Sequence, residues 1–151
     1  QRMGRLIDAL LELMRTSRRA LVFRRLDIAG IAGATCRELQ REYPQARIEI
    51  GELPAAQGDE MLIQQVYANL VGNAVRYGHH VAVRVGVRDS ALEITVDDDG
   101  PGIAAELRED VFRPFFRLDE SRKTVTGGTG LGLTIARDVI RRHGGDVTLE
   151  K

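Results

Sequence analysis

The sequence predicts an α/β fold, because segments with helical and with strand periodicity alternate along it. Apolar side chains recur at helical spacing over residues 59–77 and again over 130–143, where Gly144-Gly145 ends the second helix. Residues 81–87 and 92–98 instead alternate between apolar and polar side chains, which is typical of half-buried strands. The short gap between these strands predicts an antiparallel hairpin, with one helix before it and one after it in the chain.

The N-terminal part of the chain is predicted to contain the same mixture of elements. Residues 3–14 have the apolar spacing of a helix, and a second helix is predicted over 31–43. Short strands are predicted at 26–28 and 47–50, and residues 51–58 have the composition of a loop. Helices and strands therefore alternate from the first residues onward.

Several features at the ends of these elements support the boundaries. Asp59 can cap the long helix that follows it, Gly78 can stop that helix, and Asp89-Ser90 fits the hairpin turn. Residues 113–128 are polar, glycine-bearing and aperiodic, so this long connection is predicted to be a lid. Residues 146–150 are predicted to begin one more strand.

The composition indicates one ordinary globular domain. The chain has 151 residues with 22 basic and 22 acidic side chains, and this formal net charge of zero excludes a globally basic nucleic-acid binder. The single cysteine, Cys36, excludes an internal disulfide and a Cys-rich zinc site. It fits a reducing cytoplasm and is predicted to be buried. No apolar run approaches the roughly 18 residues of a membrane span.

Two asparagines in the long helix form the first candidate site. Asn69 and Asn73 are four residues apart and share one face, with Arg76 and Tyr77 one turn further on. Asparagine has a poor helix propensity, so two on one face need a reason. An amide carbonyl can complete the oxygen shell of Mg²⁺, and an amide NH₂ can reach a phosphate oxygen. The alternative is two simply exposed asparagines.

The run TVDDDGPGI, residues 95–103, is the second candidate. Asp98 continues the register of the apolar strand positions, so it is predicted to face inward, while Asp97 and Asp99 face the other way. A carboxylate directed inward needs a hydrogen bond donor, and the exocyclic amine of a base would suit it. Gly100 and Gly102 allow a sharp turn and leave room above the strand end.

Two further segments complete the set of candidates. GGTGLGL, residues 127–133, bares backbone N–H groups at a helix N-terminus, which is a suitable site for an anion. It lacks the lysine of a P-loop, and a plain loop-to-helix junction fits the same residues. FRPFFRLD, residues 112–119, places three phenylalanines around Pro114 and is predicted to pack in the core at the lid base.

A dinucleotide-binding motif is a formal alternative for residues 100–105, since they fit G-x-G-x-x-A after a strand. That motif belongs to a parallel βαβ unit, whereas this strand is predicted to close a hairpin. Three adjacent aspartates would also repel a pyrophosphate. The dinucleotide reading is therefore disfavoured.

Taken together and in this order, the four segments resemble the motifs of the ATP-binding catalytic domain of bacterial two-component sensor histidine kinases. NLVGNAVRY resembles the N box of that family, VDDDGPGI its G1 box, FRPFFR its F box and GGTGLGL its G2 box. Four such strings in sequence with this spacing are highly specific. The resemblance covers residues 26–151 and in detail is nearest to RstB-like sensors of proteobacteria. Residues 1–20 resemble the C-terminal end of the second helix of the dimerisation and phosphoacceptor domain.

The resemblance implies the Bergerat ATP-binding fold of the wider GHKL superfamily. This fold is a two-layer α/β sandwich, in which helices cover one face of a mixed, largely antiparallel sheet, with a flexible ATP lid. ATP and Mg²⁺ are the implied cofactors: Asn73 would hold the metal, with Asn69 on the metal or the phosphates, and Asp98 would accept from the adenine amino group. The residues that match ATP-binding positions are Asn69, Asn73, Arg76, Tyr77, Asp98, Gly100, Gly102, Ile103, Phe116, Arg117, Arg122, Lys123, Gly128, Thr129, Gly130, Leu131, Gly132 and Leu133.

The implied activity is donation of the γ-phosphate to a histidine of the dimerisation domain, as the first step of a phosphorelay to a response regulator. The implied protein is a homodimer anchored in the bacterial inner membrane, with this domain in the cytoplasm and in contact with neither nucleic acid nor membrane. The family's phosphoacceptor histidine has no match here, because His79, His80 and His143 fit no phosphoacceptor motif and are predicted to be exposed. The family also continues past residue 151 with more strand, so a C-terminal truncation is expected.

Other members of the same superfamily define the alternatives. An ATP hydrolase of this group would have a glutamate base on the N-box helix, but the corresponding positions hold Asn69 and Gln65. This absence favours phosphotransfer over hydrolysis. A protein-serine kinase, or a degenerate module that only binds nucleotide or docks partners, is the remaining alternative, and intact motifs disfavour the degenerate module.

Overall fold

The computed structural model describes residues 2–45, 47–50, 56–89, 91–118 and 128–150. The elements are α1 (Arg2–Arg18), β1 (Arg24–Leu26), α2 (Ile28–Glu42), β2 (Arg47–Ile50), β3 (Ala56–Gly58), α3 (Glu60–Tyr77), β4 (His80–Arg88), β5 (Ala91–Asp98) and α4 (Gly132–Arg142). They belong to two compact units. The sheet unit is Leu21–Gly102, and the terminal unit combines Gln1–Ala20 with Ile103–Lys151.

The sheet unit is a two-layer arrangement of strands and helices. Its larger sheet has the order β2-β4-β5, in which β2 is parallel and β5 antiparallel to β4, and a smaller antiparallel sheet pairs β1 with β3. Helix α3 packs on β4 and β5, and α2 packs on α3 and β2. Val81 and Val83 on the covered face of β4 are fully buried, as is Val71 of α3. The predicted α/β fold with an open, mixed sheet is therefore confirmed.

Aspartates fix the starts of both long helices in the sheet unit. Asp59 is buried and accepts hydrogen bonds from Leu62 N at 3.3 Å and Val22 N at 3.1 Å. One carboxylate therefore caps α3 and also binds the backbone at Val22, just before β1. Gly78 ends α3 as predicted. Asp27 accepts from Gly30 N at 3.0 Å and caps α2.

Two boundaries differ from the sequence prediction. The strand predicted at 26–28 is wrong beyond Leu26, because Asp27 caps a helix that begins at Ile28 rather than near residue 31. The loop predicted at 51–58 is wrong at its end, since residues 56–58 form β3 through backbone pairing with β1. Residues 51–55 lie outside the described residues.

The terminal unit is mainly helical. Two short 3₁₀ turns, Ala105–Leu107 and Asp110–Phe112, precede α4, and α1 packs against α4. The Arg142 guanidinium donates to the backbone carbonyls of Thr16 and Arg19 at the end of α1. No helix in the described ranges is long and apolar enough to cross a membrane.

The strand predicted at 146–150 is wrong, because these residues have no regular structure. A strand needs a neighbouring strand for its backbone hydrogen bonds, and none of the described residues pairs with this segment. The end of α4 is as predicted, since Gly144 has φ +86 and its N–H bonds to Arg141 O at 3.0 Å.

Candidate functional site

The C-terminal half of α3 presents the predicted amides and cation. Asn69, Asn73 and Arg76 are half-buried, and none of these side chains forms a hydrogen bond within the described part of the chain. Tyr77 is the last residue of the segment 59–77 for which helical apolar spacing is predicted, but it is 53% exposed and does not extend the buried face. That face is completed by Ala74 and Val75 instead, one turn before the helix ends.

The end of α3 and the end of β5 meet at glycines. A Cβ atom at Gly100 would lie 3.1 Å from Tyr77 O and 2.5 Å from the Asp98 carboxylate. A Cβ atom at Gly78 would lie 2.8 Å from the Asp99 carboxylate. A side chain at either position would therefore have to displace a carboxylate, and the structure brings Tyr77, Asp98 and Gly100 together.

The three consecutive aspartates have three different sets of partners. Asp97 pairs with Arg84 on the neighbouring strand. Asp99 Oδ1 accepts from His79 N at 2.6 Å and His80 N at 2.9 Å, and these backbone bonds lower the pKa of its carboxyl. Asp98 Oδ1 accepts only from Gly100 N, at 2.8 Å, which leaves its other oxygen without a partner among the described residues.

The register of Asp98 follows the prediction, but its burial does not. In the antiparallel pair β4–β5, Asp98 lies opposite the buried Val81, while Asp97 lies opposite Ala82. Opposed residues share a sheet face, so Asp98 is on the face that the helices cover. Its side chain is nevertheless exposed, because it is the last residue of the strand.

Along the chain, the sheet unit ends at Gly102 and the terminal unit resumes at Ile103. Gly102 has φ +70 and is exposed, with nothing within 4 Å of a Cβ position. In the terminal unit, Ile103 is half-buried and its carbonyl accepts from Arg108 Nε at 3.2 Å. The positive φ at Gly102 confirms the predicted sharp turn.

The phenylalanine segment is only partly in the core. Phe112 is buried, whereas Phe115 is 48% exposed and has φ +66. Phe116 and Arg117 are half-buried, and Arg117 has no hydrogen bond within the described ranges. The prediction that all three phenylalanines pack in the core is therefore wrong, since the turn at Phe115 directs that side chain outward.

The glycine-rich segment leads into α4. Gly130 has φ +75, and a Cβ atom there would lie 2.9 Å from the Phe115 backbone. Helix α4 begins at Gly132 after the buried Leu131, and no side chain of the described residues caps its N-terminus. Within that part of the chain its first N–H groups therefore have no intrahelical or capping partner, as an anion site requires. Gly128, Thr129, Gly130, Gly132 and Leu133 are half-buried.

Some predicted residues lie outside the described part of the chain. Arg122 and Lys123 fall within residues 119–127, as does most of the predicted lid. The three histidines are described: His79 and His80 are exposed as predicted, but His143 is half-buried, with Nδ1 2.8 Å from Val139 O.

Sequence reasoning missed several residues, including two that hold the phenylalanine segment against α4. Thr134 Oγ1 donates to Phe112 O at 2.9 Å, and the Arg137 guanidinium stacks on the Phe112 ring 4.2 Å from its centroid. Tyr67, fully buried in α3, was also missed. None of them belongs to a recognised motif, and only the helical spacing of Gly130, Thr134 and Arg137 in the sequence could have signalled a shared face.

The described residues contain no cluster of three or more His, Cys, Asp or Glu side chains that could hold a metal. Cys36 is buried as predicted, and burial raises the pKa of its thiol.

Comparison with known proteins identifies the family. The sequence model described as "Histidine kinase-, DNA gyrase B-, and HSP90-like ATPase" matches residues 58–151. The chain belongs to this family. Among curated relatives, the sensor histidine kinase CpxA of Escherichia coli K12 is 46% identical over 94 residues, covering 62% of this chain and 21% of CpxA. The sensor protein RstB of the same organism is 44% identical over 93 residues, covering 61% of this chain and 22% of RstB.

Solved structures of histidine kinases share the fold. The mycobacterial sensor histidine kinase MprB aligns with a TM-score of 0.72 at 27% identity, covering 82% of this chain and 81% of that one. Full-length ShkA in complex with AMPPNP aligns with a TM-score of 0.75 at 25% identity, covering 95% of this chain and 33% of that one. The matched family model is described as one of ATPases, and the bound AMPPNP is a property of the ShkA structure. This chain spans about a fifth of the curated relatives named above.

Proposed function

We propose that this chain binds ATP with Mg²⁺ and donates the γ-phosphate to a histidine of a dimerisation domain, as the catalytic part of a sensor histidine kinase. The observation that carries the proposal is the junction of α3 and β5. There Gly100 packs against the backbone of Tyr77, and Asp98 keeps one exposed carboxylate oxygen without a partner among the described residues.

Asp98 is the proposed reader of adenine. Its free oxygen can accept a hydrogen bond from the exocyclic amino group, and a carboxylate acceptor makes a stronger bond than a neutral one. Asp97 is paired with Arg84 and Asp99 is occupied by two backbone N–H groups, so neither is available in the same way. Tyr77, exposed beside the same turn, would flank the base.

The amides of α3 are the proposed metal and phosphate ligands. Mg²⁺ prefers oxygen ligands and usually keeps several waters, with few ligands from the protein. The half-buried Asn73 and Asn69 fit this donor set, because both amides have no partner within the described residues. Bound Mg²⁺ would neutralise charge on the phosphates, while Arg76 would add a fixed positive charge from the same helix.

The start of α4 is the proposed phosphate-binding segment of the terminal unit. The uncapped N–H groups after Leu131 can donate to phosphate oxygens. Arg117, which has no hydrogen bond within the described ranges, could contribute a further positive charge. These groups bind and orient a phosphate but supply no nucleophile and no base.

Phosphotransfer is proposed over hydrolysis because α3 lacks a carboxylate at the position where a water-activating base would lie. Asn69 and Gln65 occupy the corresponding positions. The proposed acceptor is therefore a histidine of the dimerisation domain, with a response regulator as the next partner. We further propose that residues 1–20 are the end of a helix of that domain, that the whole protein is a membrane-anchored homodimer, and that this part of it is cytoplasmic.

Calorimetric titration with ATP, with and without Mg²⁺, tests the proposal. We expect Asp98→Asn to weaken binding by roughly ten- to a hundredfold, because a charge-assisted hydrogen bond contributes about 1.5–3 kcal/mol. Asp97→Asn is the matched control, since it removes a neighbouring charge that is paired with Arg84. Equal losses from both variants, or no binding of ATP by the unmodified chain, would contradict the proposed site.

A further inference from the structure

One face of α4 is bonded to the segment that contains the phenylalanines. Just before the helix, Gly130 O accepts from Phe115 N at 2.9 Å. One turn later, Thr134 Oγ1 donates to Phe112 O at 2.9 Å. Arg137 follows on the same face, with its guanidinium over the Phe112 ring. These two hydrogen bonds and one cation–π contact tie residues 112–115 to the first two turns of the helix and to the glycine that precedes it.

Arg137 occupies the centre of an ionic cluster on this face. It donates to Glu109 through Nη1 at 2.8 Å and to Asp146 through Nε at 2.8 Å, while only 12% of its side chain is exposed. Glu109 directly precedes the 3₁₀ turn Asp110–Phe112, and Asp146 follows the end of α4. One guanidinium therefore connects the helix to the chain on both sides of it.

The electrostatic consequences agree with this geometry. The hydrogen bond from Arg137 lowers the pKa of the Glu109 carboxyl, and the same arginine together with Arg141 lowers that of Asp146. Asp146 and Glu109 in turn raise the pKa of Arg137. The cluster is thus charged throughout the physiological pH range, and the planar fork of arginine is needed to bind both carboxylates at once.

We propose that Arg137 is a positioning residue for phosphate binding: by joining Glu109, Phe112 and Asp146, it holds the first turn of α4 against residues 112–115. The inference rests on the proposed function, because the segment it holds includes the uncapped N–H groups that we assign to the phosphates. Its structural part, the holding of Phe115 against Gly130, does not depend on any nucleotide.

The geometry makes a lysine or an aliphatic side chain inadequate for this role. A lysine ammonium is a point charge without the two parallel donor edges that reach Glu109 and Asp146 together. Methionine would keep a similar apolar stem over Phe112 but would leave both carboxylates without their donor. The variant Arg137→Met therefore separates the ionic contacts from the packing.

Amide hydrogen exchange and nucleotide titration of the full 151-residue chain test the inference. In Arg137→Met we expect the Phe115 amide to exchange roughly tenfold faster, because its bond to Gly130 O opens more often. ATP affinity should fall by roughly tenfold while adenosine affinity stays within about twofold, since adenosine lacks the phosphates. A residue that only stabilised the fold would change both affinities together.

Matched variants control for loss of charge alone. Arg141→Met removes another ligand of Asp146, but Arg141 is 57% exposed and touches neither Glu109 nor Phe112, so exchange at Phe115 should stay unchanged. Glu109→Gln should reproduce the effect of Arg137→Met in part. Asp110→Asn, which removes the adjacent acid paired with Arg113, should not.

The outcomes separate this inference from the proposed function. Faster exchange at Phe115 with no ATP binding by the unmodified chain would support the holding role and overturn both the phosphate role and the proposed function. Unchanged exchange in Arg137→Met, or equal exchange in Arg137→Met and Arg141→Met, would overturn the inference whatever the nucleotide result. Should Arg137→Met fail to fold, the comparison of Glu109→Gln with Asp110→Asn decides, because the side chains of Glu109 and Asp110 are 80% and 40% exposed and neither substitution changes the size of the side chain.

Discussion

The hydroxyl of Tyr67 leads to a quantitative prediction about stability. Tyr67 lies in α3 and is only 1% exposed, and its hydroxyl oxygen has no hydrogen bond partner among the described residues. A buried polar group without a partner costs about 1–3 kcal/mol relative to the hydrated group. The variant Tyr67→Phe removes the oxygen and keeps the ring, so it should raise the free energy of unfolding by about 1 kcal/mol.

The pH dependence of this effect has a defined sign. Burial raises the pKa of Tyr67 from 10.0 to about 12, so the folded state holds the phenol proton more tightly than the unfolded state. The resulting stability is fully present below pH 10 and is lost as the pH rises toward 12. At pH 11 the loss is about 1.4 kcal/mol, the equivalent of one pKa unit. The advantage of Tyr67→Phe should therefore grow from about 1 to about 2.4 kcal/mol.

Urea unfolding of the two proteins at pH 8 and pH 11 measures this difference. Tyr77→Phe is the matched control, because that ring is 53% exposed and should leave the free energy of unfolding within experimental error of the original. Ultraviolet absorbance of the phenolate, compared between the chain and Tyr67→Phe, reports the ionisation directly. A variant that is less stable than the original at pH 8 would refute the reasoning, since it would show that the hydroxyl has a partner such as an ordered water.

Three further predictions concern the candidate site. Asn73→Ala should abolish most of the Mg²⁺-dependent part of ATP affinity and leave metal-free binding nearly intact. ATP titrations with and without Mg²⁺ measure the two affinities. A variant whose ATP affinity still rises normally with Mg²⁺ would contradict the ligand role of Asn73. Gly130→Ala should lower stability by more than Gly144→Ala in thermal unfolding, because both cost about 1–2 kcal/mol for a positive φ but only Gly130 lacks room for a Cβ atom. Incubation with γ-labelled ATP should give negligible labelling of this chain, and acid-labile, base-stable label on His79, His80 or His143 at a rate useful for signalling would overturn that expectation.

The sequence predicted an element correctly where a single local signal, such as a helix cap or a strict alternation, determines it. The capped helix after Asp59, the hairpin of β4 and β5 and the end of α4 each follow from a cap, a strict alternation or a glycine stop, and all were predicted correctly. Where two rules compete the prediction failed. Asp27 suits both a strand end and a helix cap, and capping prevailed because the following residues bury an apolar helical face.

The candidate site was predictable in its residue types but not in its contacts. Strand alternation placed Asp98 on the correct face, yet it could not show that Asp97 would pair with Arg84 or that Asp99 would bind two backbone N–H groups. These partners come from other elements and depend on register and turn geometry. The same holds for Arg137, whose partners Glu109 and Asp146 lie 28 and 9 residues away.

The contact between α1 and α4 has a consequence for replacing the sequence of α1. Arg142 binds α1 through the carbonyl oxygens of Thr16 and Arg19, which every amino acid possesses. These two hydrogen bonds depend on where the helix ends rather than on which side chains it carries. A different helix in place of α1 should therefore retain these two hydrogen bonds, provided that it terminates in the same register. Insertion or deletion of a single residue between Thr16 and Ala20 would rotate the Thr16 carbonyl by about 100° relative to the chain that follows and remove it from reach of Arg142.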